Sequence, residues 1–255
     1  MIPIRVEIVP TDGIVDAVGK AVPTGAAISV TCLPHHGIGP TLRTAAQLSE
    51  LGYSVVPHVA AKCVEGRAQL EKILRDCENA GISEVFAIGG DAAQPAGPYA
   101  TGSELLRDIA DVTGGQMRVG VAGYPEGHPN INGLQLVEAL LEKQELASGI
   151  VTQMCFSAET IHSYVESLRR EGVHLPVIAG VAGAVPKAKL ISLATKIGVG
   201  SSLKFLSKKG PLARRLLVGE RYSPETLILE LAERPGIDGI QLYSFNSLDA
   251  LPQPV

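Results

Sequence analysis

The amino-acid sequence predicts a single (β/α)8 TIM barrel of the α/β class, and three observations lead there. Eight short apolar runs rich in β-branched residues recur along the 255 residues. Stretches with helical period separate them, and several of these close on a glycine. Polar residues gather at or near the carboxyl ends of the apolar runs, which a barrel places together on its active face. Eight alternating units in about 250 residues match this architecture, whereas a doubly wound open sheet rarely needs eight parallel strands in that length. No linker, repeat or low-complexity tract interrupts the chain, so residues 1–255 are expected to form one catalytic barrel domain.

The expected strands follow in order. They are Ile2–Pro10 (IPIRVEIVP), Ala26–Leu33 (AAISVTCL), Tyr53–Ala60 (YSVVPHVA) and Glu84–Asp91 (EVFAIGGD). Next come Met117–Pro125 (MRVGVAGYP), Gly149–Phe156 (GIVTQMCF), Leu175–Val181 (LPVIAGV) and Gly239–Phe245 (GIQLYSF). Among the helical stretches, LRTAAQLSELG ends on Gly52, GRAQLEKILRDCENAG on Gly81 and SAETIHSYVESLRREG on Gly172. Glycine is common just past a helix end because it adopts the left-handed conformation without a Cβ clash. Ser157 is placed to open the last of these helices with Thr160, and Glu159 in its first turn suits the helix dipole.

Composition narrows the function classes. The chain is 45% hydrophobic and 19% charged, with a formal net charge of −4. It has no tryptophan and only 4% aromatic residues. Base-stacking nucleic-acid surfaces lean on aromatics and clustered basic charge, so nucleic acid is not an expected partner. No apolar run approaches the roughly 20 residues of a membrane span, and the N-terminal MIPIRVEIVP does not read as a signal peptide. A cytoplasmic location is the expectation. Cys32, Cys63, Cys77 and Cys155 are scattered without a Cys-x-x-Cys pair and read mostly as small buried hydrophobes in a reducing compartment. The six histidines show no chelating spacing, and the adjacent pair His35–His36 is a poor metal site, so no metal is expected.

Individual residues carry more. Glu7 lies between Val6 and Ile8 on the first strand, where burial is expected to raise its pKa into the range of a proton donor near neutrality. A structural carboxylate paired with a barrel lysine is the alternative. Gly89 and Gly90 stand at the end of the fourth strand, where they let a flat ligand approach the backbone, and Asp91 follows. Tyr124, Glu126 and His128 share the proline-punctuated loop AGYPEGHP. Gln153 places a carboxamide in the apolar GIVTQMCF, to be satisfied either inside the fold or by a ligand. There is no GxGxxG fingerprint, Walker loop or G-x-S-x-G elbow.

Several of these stretches, in the same order over nearly the whole chain, resemble the methylenetetrahydrofolate reductase family. VTQMCFSAETIHSYVESLRREGVHLPVIAGV is similar to the family's Thr-Gln-aromatic strand, following helix and Pro-Ile-x-x-Gly strand. YPEGHP resembles its Tyr-Pro-Glu-x-His-Pro signature, and AIGGDAAQP with PYATGSEL its Arg-Gly-Asp loop and the Tyr-Ala-x-Asp-Leu beyond. RVEIVP corresponds to its first-strand Glu-Phe-x-Pro, and SVT and VVPHV to its Ser-Val-Thr and Pro-His-Leu stretches. The resemblance implies a (β/α)8 barrel that reduces 5,10-methylenetetrahydrofolate to 5-methyltetrahydrofolate with NADH or NADPH, usually through FAD. It implies Glu7 as the acid assisting ring opening to an iminium, and Asp91 and Gln153 as pterin-facing groups. Thr31, His58, Ala100, Tyr124 and His128 match flavin-contacting positions. Lys143 matches a family lysine if one gap is allowed.

Departures bear on the flavin. Gly89 stands where the flavin-containing members carry arginine, EKQELAS replaces a Lys-x-Asp-Ala-Gly-Ala segment, and GVAGAVPKAK lacks the family's aromatic. Some members of the wider family bind no flavin and pass hydride directly from nicotinamide to folate, and FAD is expected to be absent here. The alternatives are the same reaction through bound FAD, or a pterin-binding barrel acting in methyl transfer or regulation. Lys187, Lys189 and Lys204 are candidates to meet the glutamyl tail of the folate. The sequence leaves the oligomeric state open.

Overall fold

All eight expected apolar runs form parallel strands, and their edges meet to close a barrel in sequence order, with β8 against β1. The computed structural model describes residues 2–186, 190 and 222–252; Lys187, Lys189 and Lys204 lie outside these residues. The elements are β1 (Ile4–Ile8), α1 (Ile14–Ala21), β2 (Ala27–Val30), α2 (Ile38–Glu50), β3 (Ser54–Ala60) and α3 (Arg67–Asn79). Then follow β4 (Glu84–Ile88), α4 (Gly102–Thr113), β5 (Arg118–Gly123), α5 (Gly133–Lys143) and β6 (Gly149–Thr152). The described elements end with α6 (Ala158–Arg170), β7 (Val177–Ala182), α7 (Glu225–Ala232) and β8 (Gly239–Tyr243).

The helix ends obey local rules. Gly52, Gly81 and Gly172 follow α2, α3 and α6 with φ of 86°, 71° and 86°. After α2 the amide of Tyr53 returns to the Leu48 carbonyl, and after α3 that of Ile82 returns to Cys77. After α6, Val173 returns to Leu168 in the same way. Each closure satisfies carbonyls that the helix end leaves open. Ser157 caps α6 by accepting the Thr160 amide at 3.2 Å.

Alternation along the strands divides the apolar residues into two layers. On β1, Val6 and Ile8 pack with Ile14 and Val18 of α1 in the layer between sheet and helices. Arg5 and Glu7 occupy the other face, inside the barrel. The interior is plugged at mid-height by Val56, Phe86 and Val151, against which Ile88, Ala122 and Ile178 pack. Towards the amino-terminal end of the strands, Arg5 pairs with Glu84 at 2.7 Å, and Arg118 approaches the same carboxylate at 3.5 Å. This plug makes the barrel a packed core with a polar cup at its carboxyl end.

Several strands stop short of the expected runs: β1 ends at Ile8 rather than Pro10, β2 at Val30 rather than Leu33, and β4 at Ile88 rather than Asp91. The sixth strand stops at Thr152 rather than running to Phe156. Its hydroxyl accepts the Gly180 amide at 2.8 Å and donates to the Gln153 carbonyl at 3.0 Å. A side chain thus takes a β7 donor that a continuing ladder would use, and Gln153 becomes the first residue of the β6–α6 loop.

Candidate active site

The cup is built from inward positions of β1, β2, β3 and β8. Glu7 lies opposite Ser29 on one side and Tyr243 on the other. It is only 8% exposed. Burial raises its carboxyl from 4.5 to about 7, opposed in part by a hydrogen bond from Gln241. That bond runs from Gln241 Nε2 to Glu7 Oε2 at 2.9 Å. Glu7 is therefore poised between acid and carboxylate at neutral pH.

His58, on β3, brings its Nε2 to 3.7 Å from the same Glu7 oxygen. Burial, with the Arg5 charge adding to it, pushes the imidazole down to about 3. The ring is thus neutral, and the approach to Glu7 is a polar contact rather than an ion pair. Its Nε2 instead shares a 2.7 Å hydrogen bond with the Ser29 hydroxyl, and its edge meets the Phe86 ring at 4.8 Å.

Tyr243 closes the β8 side. Its hydroxyl crosses to donate to the Thr152 carbonyl at 3.0 Å. That path exists because residue 180 is glycine: a Cβ there would lie 2.3 Å from Thr152 O and 2.8 Å from Tyr243 Cε2. Burial first, and the Glu7 charge second, push the Tyr243 phenol well above its ordinary value. Beyond it, Phe245 and Asn246 hold positive φ angles of 49° and 61°. Asn246 then bridges to β1's exit loop, accepting from Val9 N at 2.8 Å and donating to Val9 O at 2.9 Å. Two adjacent non-glycine residues in the left-handed region mark strain stored at the mouth.

The remaining mouth residues come from neighbouring βα loops. Thr31 follows β2, its amide bonded to the Ile8 carbonyl at 3.0 Å. The Thr31 hydroxyl is buried without a hydrogen-bond partner among the described residues. Gly90 has φ of 84°, and a Cβ on it would meet Ala60 at 3.0 Å. Asp91 follows as an exposed bend residue, and its charge adds to the burial that raises the Tyr124 phenol. Tyr124 and His128 share the β5–α5 loop with rings edge to face at 5.0 Å. The Gln153 amide N–H donates to Gly123 O at 2.8 Å, anchoring that residue beside the end of β5.

This constellation of a neutral-range carboxyl, neutral imidazole, carboxamides and phenols at the exit of eight parallel strands can bind a flat heterocycle and deliver a proton to it. The methylenetetrahydrofolate reductase family matches the sequence over residues 28–200. The chain belongs to that family. A 5,10-methylenetetrahydrofolate reductase of Salmonella typhimurium is 26% identical over 207 residues, covering 76% of this chain and 67% of the relative. A methylenetetrahydrofolate reductase (NADH) of Arabidopsis thaliana is 28% identical over 131 residues, or 44% of this chain and 22% of the relative. The chain thus spans about two thirds of the bacterial relative and under a quarter of the plant one. A solved structure from Burkholderia cenocepacia, described as a candidate phosphonomutase, superposes with a TM-score of 0.54 at 11% identity, covering 94% of this chain and 86% of that one. It supports the barrel fold alone.

Within this member of the methylenetetrahydrofolate reductase family, the structure sorts the sequence-derived candidates. Glu7 and His58 are in direct polar contact, and Thr31, Gly90, Asp91, Tyr124, His128 and Gln153 stand on the same carboxyl face. Ala100 also lies in the β4–α4 loop, but its amide is committed to Glu104 at 2.8 Å beside the Thr101 cap of α4. Lys143 is not brought to this face. It ends α5, which runs back down the barrel, and the turn after it bonds Ser148 to Val119 near the start of β5. Burial lowers the Lys143 pKa there, at the opposite end from Glu7. Ser29, Gln241 and Tyr243 were not foreseen. The signal was available: in AISV and GIQLY they hold the inward alternate positions that Glu7 holds in IRVEI.

Proposed function

We propose that this chain reduces 5,10-methylenetetrahydrofolate to 5-methyltetrahydrofolate, with hydride from NADH or NADPH passing directly to the folate, and that residues 1–255 act as one catalytic barrel domain. The observation that carries the reading is Glu7, a buried carboxyl at about 7 in the cup of a barrel of this family. Ring opening breaks a carbon–nitrogen bond of the five-membered ring, and the departing amine needs a proton. The Glu7 carboxyl supplies it and is left as carboxylate, held through Oε2 by Gln241. The reduced nicotinamide, when bound, supplies the hydride that the resulting iminium carbon accepts. Gln153 and Asp91 orient the pterin edge, Tyr124, His128 and Thr31 line its approach, and the close-packed Gly90 lets the ligand lie near the backbone. His58, pushed down to about 3 by burial, is too weak a base to take the Glu7 proton, and uncharged it does not draw the Glu7 carboxyl down.

The described residues do not suit FAD, and no step is routed through it. The β4–α4 loop offers Gly89 where flavin-containing relatives carry arginine, and the Ala100 amide is already bonded within the chain. The Lys62 ammonium in the neighbouring loop is committed to the Ala92 carbonyl at 3.0 Å. The test has two steps. An absorbance spectrum of freshly purified protein is expected to show no flavin bands, and methylenetetrahydrofolate is expected to drive oxidation of NADH or NADPH without added FAD. Absence of that oxidation with either nucleotide, with or without FAD, overturns the reductase reading.

A further inference from the structure

Gln241 presents two different atoms to one buried site, and only one of them is used. Its side chain is sealed in β8 at 1% exposure. Nε2 donates to Glu7 Oε2, while Oε1 is buried with no hydrogen-bond partner among the described residues. A buried carbonyl left unpaired costs free energy, and an apolar residue on β8 would avoid it.

The other groups around Glu7 are already engaged. From β2, the Ser29 hydroxyl is bonded to His58. From β3, His58 is neutral and uses its Nε2 on Ser29. From β8, the Tyr243 hydroxyl donates to Thr152. On β1 itself, Arg5 turns to Glu84. Among the described residues, Gln241 is thus the close hydrogen-bond donor to the carboxylate.

An ionised carboxylate only accepts, whereas the protonated acid has one O–H to donate. A carboxamide can answer both, because a half-turn about its last torsion exchanges the N–H and carbonyl faces, and that torsion is broad and nearly two-fold. We propose that Gln241 is a positioning residue that holds Glu7 through both protonation states, donating from Nε2 to the carboxylate and, after a half-turn, accepting the acid's O–H on Oε1. The unpaired Oε1 is then the face reserved for the other state. During ring opening the O–H bond of Glu7 breaks, and its proton forms an N–H bond on the amine whose C–N bond is breaking. Gln241 turns back to donate to the new carboxylate, and a solvent proton restores the acid, which matches the single proton that the overall reduction consumes. The catalytic part of this inference rests on the reductase reading; the two-faced partnership does not.

The test uses the full chain. Nitrogen-15 resonances of the Gln241 side-chain amide, assigned by their loss in Gln241→Met, are followed against pH in wild type and in Glu7→Gln. They are expected to move with the Glu7 titration in wild type, and to be flat in Glu7→Gln. A flat response in wild type overturns the two-faced partnership without any reference to activity. In kinetics, Gln241→Met removes both faces at similar volume. It is expected to lower kcat by roughly tenfold to a hundredfold with little change in the folate KM. The alkaline limb of its kcat profile is expected at higher pH, because the carboxylate loses the stronger, charge-assisted bond. A wild-type kcat and pH profile in Gln241→Met overturns the positioning role. If wild type itself oxidises neither nucleotide in the presence of methylenetetrahydrofolate, the reductase reading fails and the amide titration still decides the partnership.

Discussion

Replacing Glu7 by glutamine keeps the shape of the side chain and removes only its proton chemistry, so its consequences for rate and for stability separate. The carboxyl titrates at 4.5 when exposed and at about 7 in the fold. At about 1.4 kcal/mol per pH unit, the ionised form costs the fold roughly 3 kcal/mol. Below the exposed value both folded and unfolded chains carry the proton and no cost arises. As pH rises towards 7 the unfolded chain releases a proton that the folded chain keeps, and stability falls. Above 7 both are ionised and the cost is constant. Glu7→Gln is free of this cost, and its amide can still accept from Gln241 Nε2. Its melting temperature is therefore expected to match wild type at about pH 4.5 and to exceed it by several degrees at about pH 8, since each kcal/mol is worth roughly 2–4 °C in a domain of this size. Its kcat is expected to fall by about 10²–10⁴-fold, the usual worth of a positioned general acid, with folate binding nearly unchanged. The assays are thermal melts across pH beside steady-state kinetics. A kcat near wild type would remove Glu7 from the chemistry, and a stability gap that does not widen with pH would refute the reasoning from burial.

Gln153→Ala is expected to weaken transition-state stabilisation by about 1–3 kcal/mol in kcat/KM with little change in melting temperature, because the residue opens the β6–α6 loop at the mouth; lost stability with normal kinetics would point to a structural amide instead. Gly180→Ala is expected to cost about 1–3 kcal/mol in denaturant unfolding, since its Cβ would stand 2.3 Å from Thr152 O and force the Tyr243 ring off its path. An unchanged midpoint would mean that β7 can shift without cost. Protein purified under gentle conditions is expected to release no stoichiometric FAD on heating, and release of it would restore the flavin-dependent route.

What the sequence determined was set by local rules. Side chains alternate along a strand and recur every three to four residues on a helix, so apolar periodicity reports each element before any tertiary contact exists. That is why all eight strands, the closing glycines after α2, α3 and α6, and the Ser157 cap were legible. The placement of Glu7, His58 and Gln153 on one face was legible too, because parallel strands in a barrel carry their carboxyl ends together. What only the tertiary structure decided depends on pairing across the chain. The partner of Glu7 is Gln241, 234 positions away, and only barrel closure of β8 on β1 joins them. The pKa values of Glu7 and His58 arise from desolvation by the whole cup, which no local window contains. The end of β6 was fixed by a Thr152 hydroxyl taking a β7 amide. Lys143 matched by residue type, but the helix carrying it runs antiparallel to the strands and ends at the opposite face.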